Sequence, residues 1–319
     1  MCRIHREEIE RLVEGLNNLG SNTSALLEVI KCGRVAVKPI IGLLLSSPSI
    51  FSEPRCLAAE ALGMIGGEES SEGLIQVLDL CDLEPLDPQV RLAEETVRNQ
   101  AARQLAILGY ERAIEPLLRC LKENHLMGAA EALSNFKEKR AMPYIVEMLE
   151  DDYSRETAGK ALLKFGKDAV PLLIEALARR NYTPSIYETN PSIRRRVEAT
   201  RLLGEIGDPE AIRPLLKRLE DEEWEVRLYA ALSLLKIGID KDKIIKVIPE
   251  LISGLNEGDW YTHGLCIEAL SELNSAALPY IENALNERKV ENVRGEKVYL
   301  SEAVIESLKE LIERLSKNG

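Results

Sequence analysis

The amino-acid sequence predicts an all-α protein built as a right-handed α-solenoid of about eight helical hairpins. Three observations predict it. Hydrophobic residues make up 45 % of the 319-residue chain but aromatic residues only 4 %, so the core is made of Leu, Ile, Val and Ala, which suits helices better than sandwiches or barrels. A leucine-centred motif returns along the whole chain, with a base unit of about 28 to 31 residues. Each copy is followed by an apolar run spaced at three to four residues, and most of these runs carry a proline near their start.

The motif gives the first helix of each hairpin, here called helix A. Its copies end at Gly20, Gly66, Gly109, Lys137, Gly166, Gly207, Gly238 and Asn274. Four residues earlier there is always a leucine: Leu16, Leu62, Leu105, Leu133, Leu162, Leu203, Leu234 and Leu270. One residue earlier there is always a large apolar side chain, from Leu19 to Leu273. Eight residues earlier, six copies have alanine: Ala58, Ala101, Ala129, Ala158, Ala199 and Ala230. These offsets trace one stripe on an α-helix, and alanine in that stripe lets a neighbouring backbone approach closely. The glycine that ends most copies suits the left-handed residue that terminates a helix.

The second helix, helix B, follows in "VAVKPIIGLLL", "RAIEPLLRCL", "RAMPYIVEML", "DAVPLLIEAL", "EAIRPLLKRL", "KVIPELISGL" and "AALPYIENAL". Pro39, Pro116, Pro143, Pro171, Pro214, Pro249 and Pro279 fit a first helical turn, where a missing N–H leaves no bond unmade. "SSEGLIQVLDL" keeps the apolar spacing without the proline. One hairpin cannot bury both faces, so the expectation is a single stacked array over residues 1–319. Residues 1–52 form its N-terminal capping unit, 53–287 its central repeats, and 288–319 a C-terminal capping helix with Ile305, Leu308, Ile312 and Leu315 on one face.

The segment "VEATRLLGEIGDPEAIRPLLKRLEDEE" (197–223) resembles HEAT-like repeats of the phycobilisome-lyase (E-Z) type, and weaker copies cover nearly the whole chain. The resemblance implies a helical-repeat fold. Related repeats occur in bilin lyases, deoxyhypusine hydroxylase, alkylpurine DNA glycosylases and adaptors, so the repeat alone does not choose among activities.

Candidate functional residues fall into three groups. Arg55, Arg98, Arg155, Arg196 and Arg227 all stand eleven residues before the end of their motif. They read as a structural ladder with stems packed between units, the competing reading being a strip for an anionic ligand. The turns from helix B into the next helix A are acidic and aromatic: "LEDDYSRE", "LEDEEWEVR" and "LNEGDWYTH". Acids there cap helix starts. Trp224 and Trp260, the chain's two tryptophans, hold equivalent places, and with Tyr153, Tyr182, Tyr187 and Tyr261 they are the candidate partner contacts. Insertions at 83–96 and 181–192, and an excursion at 288–299, join a helix B to the next helix and read as loops on a common edge.

A formal charge of −12 disfavours nucleic acid as a partner and favours a protein with a basic surface. None of His5, His125 and His263 adjoins a glutamate, so the di-iron chemistry of deoxyhypusine hydroxylase is not expected. No catalytic constellation, metal-ligand spacing or cofactor motif is visible. Six cysteines without a C-x-x-C pair read as reduced thiols in a cytoplasmic protein, and neither a secretory signal nor a membrane span is seen. The functional expectation is a non-enzymatic scaffold or adaptor binding a partner protein on a curved repeat surface. A bilin lyase or isomerase-like protein is the alternative, and a nucleic-acid-binding repeat protein stands behind both.

Overall fold

The computed structural model describes residues 6–17, 22–79, 87–184 and 187–318. Leu19, Gly20, Cys2, Cys81, His5 and residues 83–86 of the first insertion lie outside them. The chain divides into two compact units: Met1–Met148 with Tyr153–Phe165, and Leu149–Asp152 with Gly166–Gly319.

The first unit contains α1 (Arg6–Glu14), α2 (Asn22–Cys32), α3 (Val37–Leu44), α4 (Glu53–Ile65), α5 (Glu68–Asp79), α6 (Pro88–Leu108), α7 (Ile114–Asn124), α8 (Met127–Asn135), α9 (Met142–Glu147) and α10 (Arg155–Phe165). The second contains α11 (Val170–Ala178), α12 (Asn190–Ile206), α13 (Ile212–Arg218), α14 (Trp224–Ile237), α15 (Lys241–Glu257), α16 (Trp260–Leu273), α17 (Leu278–Glu287), a hairpin of β1 (Lys289–Glu291) and β2 (Lys297–Tyr299), and α18 (Glu302–Asn318). The hairpin strands are antiparallel, with Val290 opposite Val298. Apart from this hairpin and an isolated bridge between Tyr182 and Glu188, the described residues are helices and their connections.

The motif stripe is the core. The motif leucines and the six stripe alanines are all buried. The apolar residue that ends each motif is peripheral: Phe165 is buried, whereas Ile65, Leu108, Phe136, Ile206, Ile237 and Leu273 are half-buried. The seven described motif ends all have positive φ, including Lys137 at 56° and Asn274 at 45°. Each of these A helices thus stops on a left-handed residue, whether or not glycine supplies it.

Small residues bring successive A helices close. A Cβ on Gly128 of α8 would lie 2.5 Å from the Asn99 carbonyl oxygen of α6. A Cβ on Gly204 of α12 would lie 2.8 Å from the Ser233 Cα of α14.

Three sequence expectations need correction. Pro249 lies inside α15 rather than in a first turn, because "KDKIIK" extends the helix ahead of it. The first insertion is mostly helix: α6 begins at Pro88, with Asp87 capping it through the Gln89 N–H at 2.8 Å. The last excursion is the β1–β2 hairpin rather than an open loop.

No helix among the described residues is long and apolar enough to cross a membrane. Cys32, Cys56, Cys120 and Cys266 are free thiols. Burial pushes the Cys266 thiol up to about 12, so its thiolate is scarce at neutral pH. Iodoacetamide at pH 8 is therefore expected to leave Cys266 unmodified in the native protein and to modify it in urea, as read by peptide mass mapping.

Candidate binding surface

The arginine ladder is directed inward. Arg55, Arg98, Arg196 and Arg227 are buried, and Arg155 is half-buried. The first task of Arg55, Arg98 and Arg227 is to satisfy carbonyls at or just beyond the end of the preceding helix. Arg55 donates to the Leu44 carbonyl at 2.7 Å, and Arg98 to that of Leu78 at 3.2 Å. Arg227 donates to the carbonyls of Asp221 and Glu222, each at 2.9 Å. At α12 this task passes to Arg195, whose guanidinium reaches the Arg179 carbonyl at 2.8 Å. Sequence reasoning misses Arg195 because it stands one place off the ladder.

The ladder's second task is to hold acids, and the insertions supply them. Arg55 pairs with Glu94, from the helical part of the first insertion. Arg196 donates to both Glu188 oxygens, at 2.8 and 2.6 Å, from the second insertion, and to Asp221 at 2.6 Å. Arg227 pairs with Glu250 at 3.0 Å and lies 3.8 Å from Glu296 of the hairpin. Each insertion thus delivers a carboxylate to a neighbouring ladder arginine.

These pairs shift carboxyl groups in opposite directions. Burial alone would raise the Asp221 carboxyl, but hydrogen bonds from Arg196 and the Glu223 N–H, with the charge of Arg180, hold it below the ordinary range. At Glu250 burial prevails over the Val293 N–H and Arg227, and the carboxyl is raised.

The aromatic candidates differ in exposure. Trp224 and Trp260 are the first residues of α14 and α16, equivalent as their spacing implies. Trp224 is half-buried, however, and Trp260 is 85 % exposed. Trp260 meets Tyr261 edge to face, with ring centroids 6.1 Å apart and planes at 78°. Asp259 caps this helix start by accepting from the Thr262 N–H at 2.9 Å. Tyr182 and Tyr187 are exposed on the second insertion, which the Thr183 N–H closes onto the Tyr187 carbonyl at 2.8 Å. Tyr153, also exposed, belongs to the first unit.

Tyr261 leads into a groove of about 440 Å³ lined by α12, α14 and α16. Tyr229, Leu232 and Leu235 of α14 and Leu265 of α16 form its apolar lining, joined by the charged side chains of Arg201, Glu205, Lys236, Glu268 and Glu272 at the rim. The groove exists because the A helices part here. α12 and α14 pack along much of their length around Gly204 and Ser233, whereas α14 and α16 touch at few points.

The sequence carries a trace of the groove. The outward position six residues before each motif end is charged in seven units: Glu14, Glu60, Arg103, Glu131, Lys160, Arg201 and Glu268. In α14 it is Leu232. Two of these charges meet between helices, Arg103 of α6 with Glu131 of α8 at 2.7 Å.

Among the described residues no three His, Cys, Asp or Glu side chains gather as a metal site. The folded pattern is that of a helical-repeat protein. Residues 185–247 match the HEAT repeats model, and residues 54–79 and 97–123 match the PBS lyase HEAT-like repeat model. Residues 54–79 and 97–123 therefore carry HEAT-like repeats of the phycobilisome-lyase type, and residues 185–247 carry HEAT repeats. No curated protein matches it with significance.

Among solved structures, the complex of CpcE and CpcF of phycocyanin lyase from Nostoc sp. PCC7120 is similar at 22 % identity, covering 78 % of this chain and 97 % of that one, with a TM-score of 0.38. Human deoxyhypusine hydroxylase is similar at 18 % identity, covering 83 % and 95 %, with a TM-score of 0.33. The karyopherin Kap121p bound to the extreme C-terminus of the protein phosphatase Cdc14p is similar at 12 % identity, covering 98 % of this chain and 42 % of that one, with a TM-score of 0.48. These are likenesses of fold alone.

Proposed function

We propose that the protein is a non-enzymatic interaction scaffold that binds a partner protein on the repeat surface of its second unit. The observation that carries this reading is the Trp260–Tyr261 pair, solvent-exposed at the start of α16 and leading into the groove. Burying exposed aromatic side chains is a major source of binding energy, and two rings already in contact lose little freedom when covered. A formal charge of −12 favours a basic partner and speeds its encounter. The free thiols fit a reducing compartment such as the cytoplasm. The bilin-handling alternative draws no support from the arginine ladder, because the guanidinium groups of Arg55, Arg98, Arg196 and Arg227 are buried against internal carbonyls and side chains.

Affinity purification of the tagged protein from its native host tests the reading. A stoichiometric partner protein is expected with the wild type. The double variant Trp260→Ala/Tyr261→Ala should lose that partner, with a drop in affinity of about 30-fold or more, while Tm moves by no more than about 2 °C. Recovery of the wild type as a bare monomer, or full retention of the partner by the variant, overturns it.

A further inference from the structure

We propose, resting on the reading above, that the groove between α14 and α16 receives an amphipathic helix of the partner, apolar on one side and carrying lysine or arginine where it faces Glu268 and Glu272. The groove offers two apolar walls. Tyr229 and Leu232 of α14 run along one, Tyr261 and Leu265 of α16 along the other, each pair at helical spacing. The wall from Tyr261 to Glu272 extends over about 17 Å, or three helical turns.

The shape of the occupant follows from hydrogen bonding. Both walls are helices whose backbone groups bond internally. An extended peptide lying here would cover its own N–H and C=O groups with apolar side chains and find no partners for them. A helix satisfies its own backbone and presents apolar residues at the same three-to-four spacing as the walls.

The charge of the occupant follows from the rim. On the α12 side the charges are already balanced: Arg201 bonds Glu198 at 3.0 Å and also Glu205, and Lys236 lies 4.0 Å from Glu205. On the α16 side Glu268 and Glu272 are exposed one turn apart, and neither has a cation within ion-pair distance among the described residues. Like charges at this spacing disfavour the helix that bears them, and a cation from outside relieves that repulsion. Leu232 adds a separate indication, since it replaces the charge that seven other units keep at this outward position.

Two labelled 18-residue helical peptides test the proposal by fluorescence anisotropy at physiological salt. Both carry the same leucine stripe, one flanked by lysines and the other by glutamates. The wild-type protein should bind the lysine peptide about tenfold more tightly than the glutamate peptide. Glu268→Lys/Glu272→Lys should reverse this preference. Glu310→Lys/Glu313→Lys, an equal change of net charge on α18, should leave it within about twofold. Leu232→Asp should weaken both peptides about tenfold with the helical circular dichroism retained. If the α16 and α18 reversals act alike, or Leu232→Asp has no effect, the groove is not the site. A native partner lost with Trp260→Ala/Tyr261→Ala but indifferent to Glu268→Lys/Glu272→Lys overturns the groove and leaves the scaffold reading standing. A bare monomer from the native host overturns the scaffold reading whatever the peptides do.

Discussion

Replacing Arg196 with alanine is expected to lower the stability of the second unit by about 3–5 kcal/mol. The guanidinium is fully buried and makes three hydrogen bonds of 2.8 Å or less, two to Glu188 and one to Asp221. The Asp221 side chain is also fully buried, and that of Glu188 nearly so. Removing the arginine leaves two carboxylates out of water with reduced compensation. Arg180 remains 3.0 Å from Asp221, and Arg218 remains 3.3 Å from it, which softens the loss on that side. Glu188 retains the Ser192 hydroxyl, which donates to it at 2.6 Å, but its nearest remaining charge is Arg180 at 3.9 Å. Urea unfolding measures the change. Adding Glu188→Gln to Arg196→Met should recover part of the loss, because the amide removes a stranded charge that the methionine cannot meet. If the second change lowers stability further, the cost lies in lost packing and not in the uncompensated charge.

The same network gives stability a pH dependence of defined sign. Asp221 titrates below its ordinary range in the folded protein. Its contribution is present above the unfolded aspartate value of about 3.9 and disappears as pH falls through the lower folded value. Glu250 is raised, so its ionisation costs stability. That cost is relieved as pH falls from the raised folded value towards the unfolded glutamate value of about 4.3. Asp221→Asn should therefore flatten the acid limb of the urea-midpoint profile, and Glu250→Gln the limb at higher pH.

Much of this fold is legible in the sequence because its determinants are local and periodic. The stripe of Leu203 and Ala199 predicts its own burial, and a left-handed end follows from the motif even where Lys137 and Asn274 take the place of glycine. Proline is a weaker guide. Pro249 suggests a helix start, yet "KDKIIK" ahead of it contains no stop signal and continues the helix. The ladder's inward direction follows from its place on the buried stripe, but its partners do not. Glu94, Glu188 and Glu296 lie 39, 8 and 69 residues from the arginines they meet, and no periodicity relates them. Aromatic residues announce the candidate surface by type and position, while exposure separates Trp260 from Trp224. The groove depends on how far α14 stands from α16, a tertiary quantity. Its sequence trace, one leucine at a position otherwise charged, becomes meaningful only when that position is known to face outward.

Glycine-to-alanine changes at two helical positions of the second unit are expected to have opposite signs. Helix propensity alone favours alanine at both by up to about 1 kcal/mol. Gly264, within α16, has nothing within 4 Å of an added Cβ, so Gly264→Ala should raise stability by about 0.5–1 kcal/mol. Gly204, within α12, has Ser233 of α14 against it: an added Cβ would lie 2.6 Å from the serine Cβ and 2.8 Å from its Cα. Rotation of the serine side chain cannot relieve either contact, because neither atom moves with χ1. The serine is also tied across the helices, donating to the Thr200 carbonyl at 2.9 Å. Accommodation therefore requires α12 and α14 to separate along their closest line, and overpacking of this kind costs about 1–3 kcal/mol. Gly204→Ala should lower Tm and Gly264→Ala should raise it in the same unfolding transition. Two increases would mean that helix propensity governs both sites and that the close approach of α12 and α14 yields without cost.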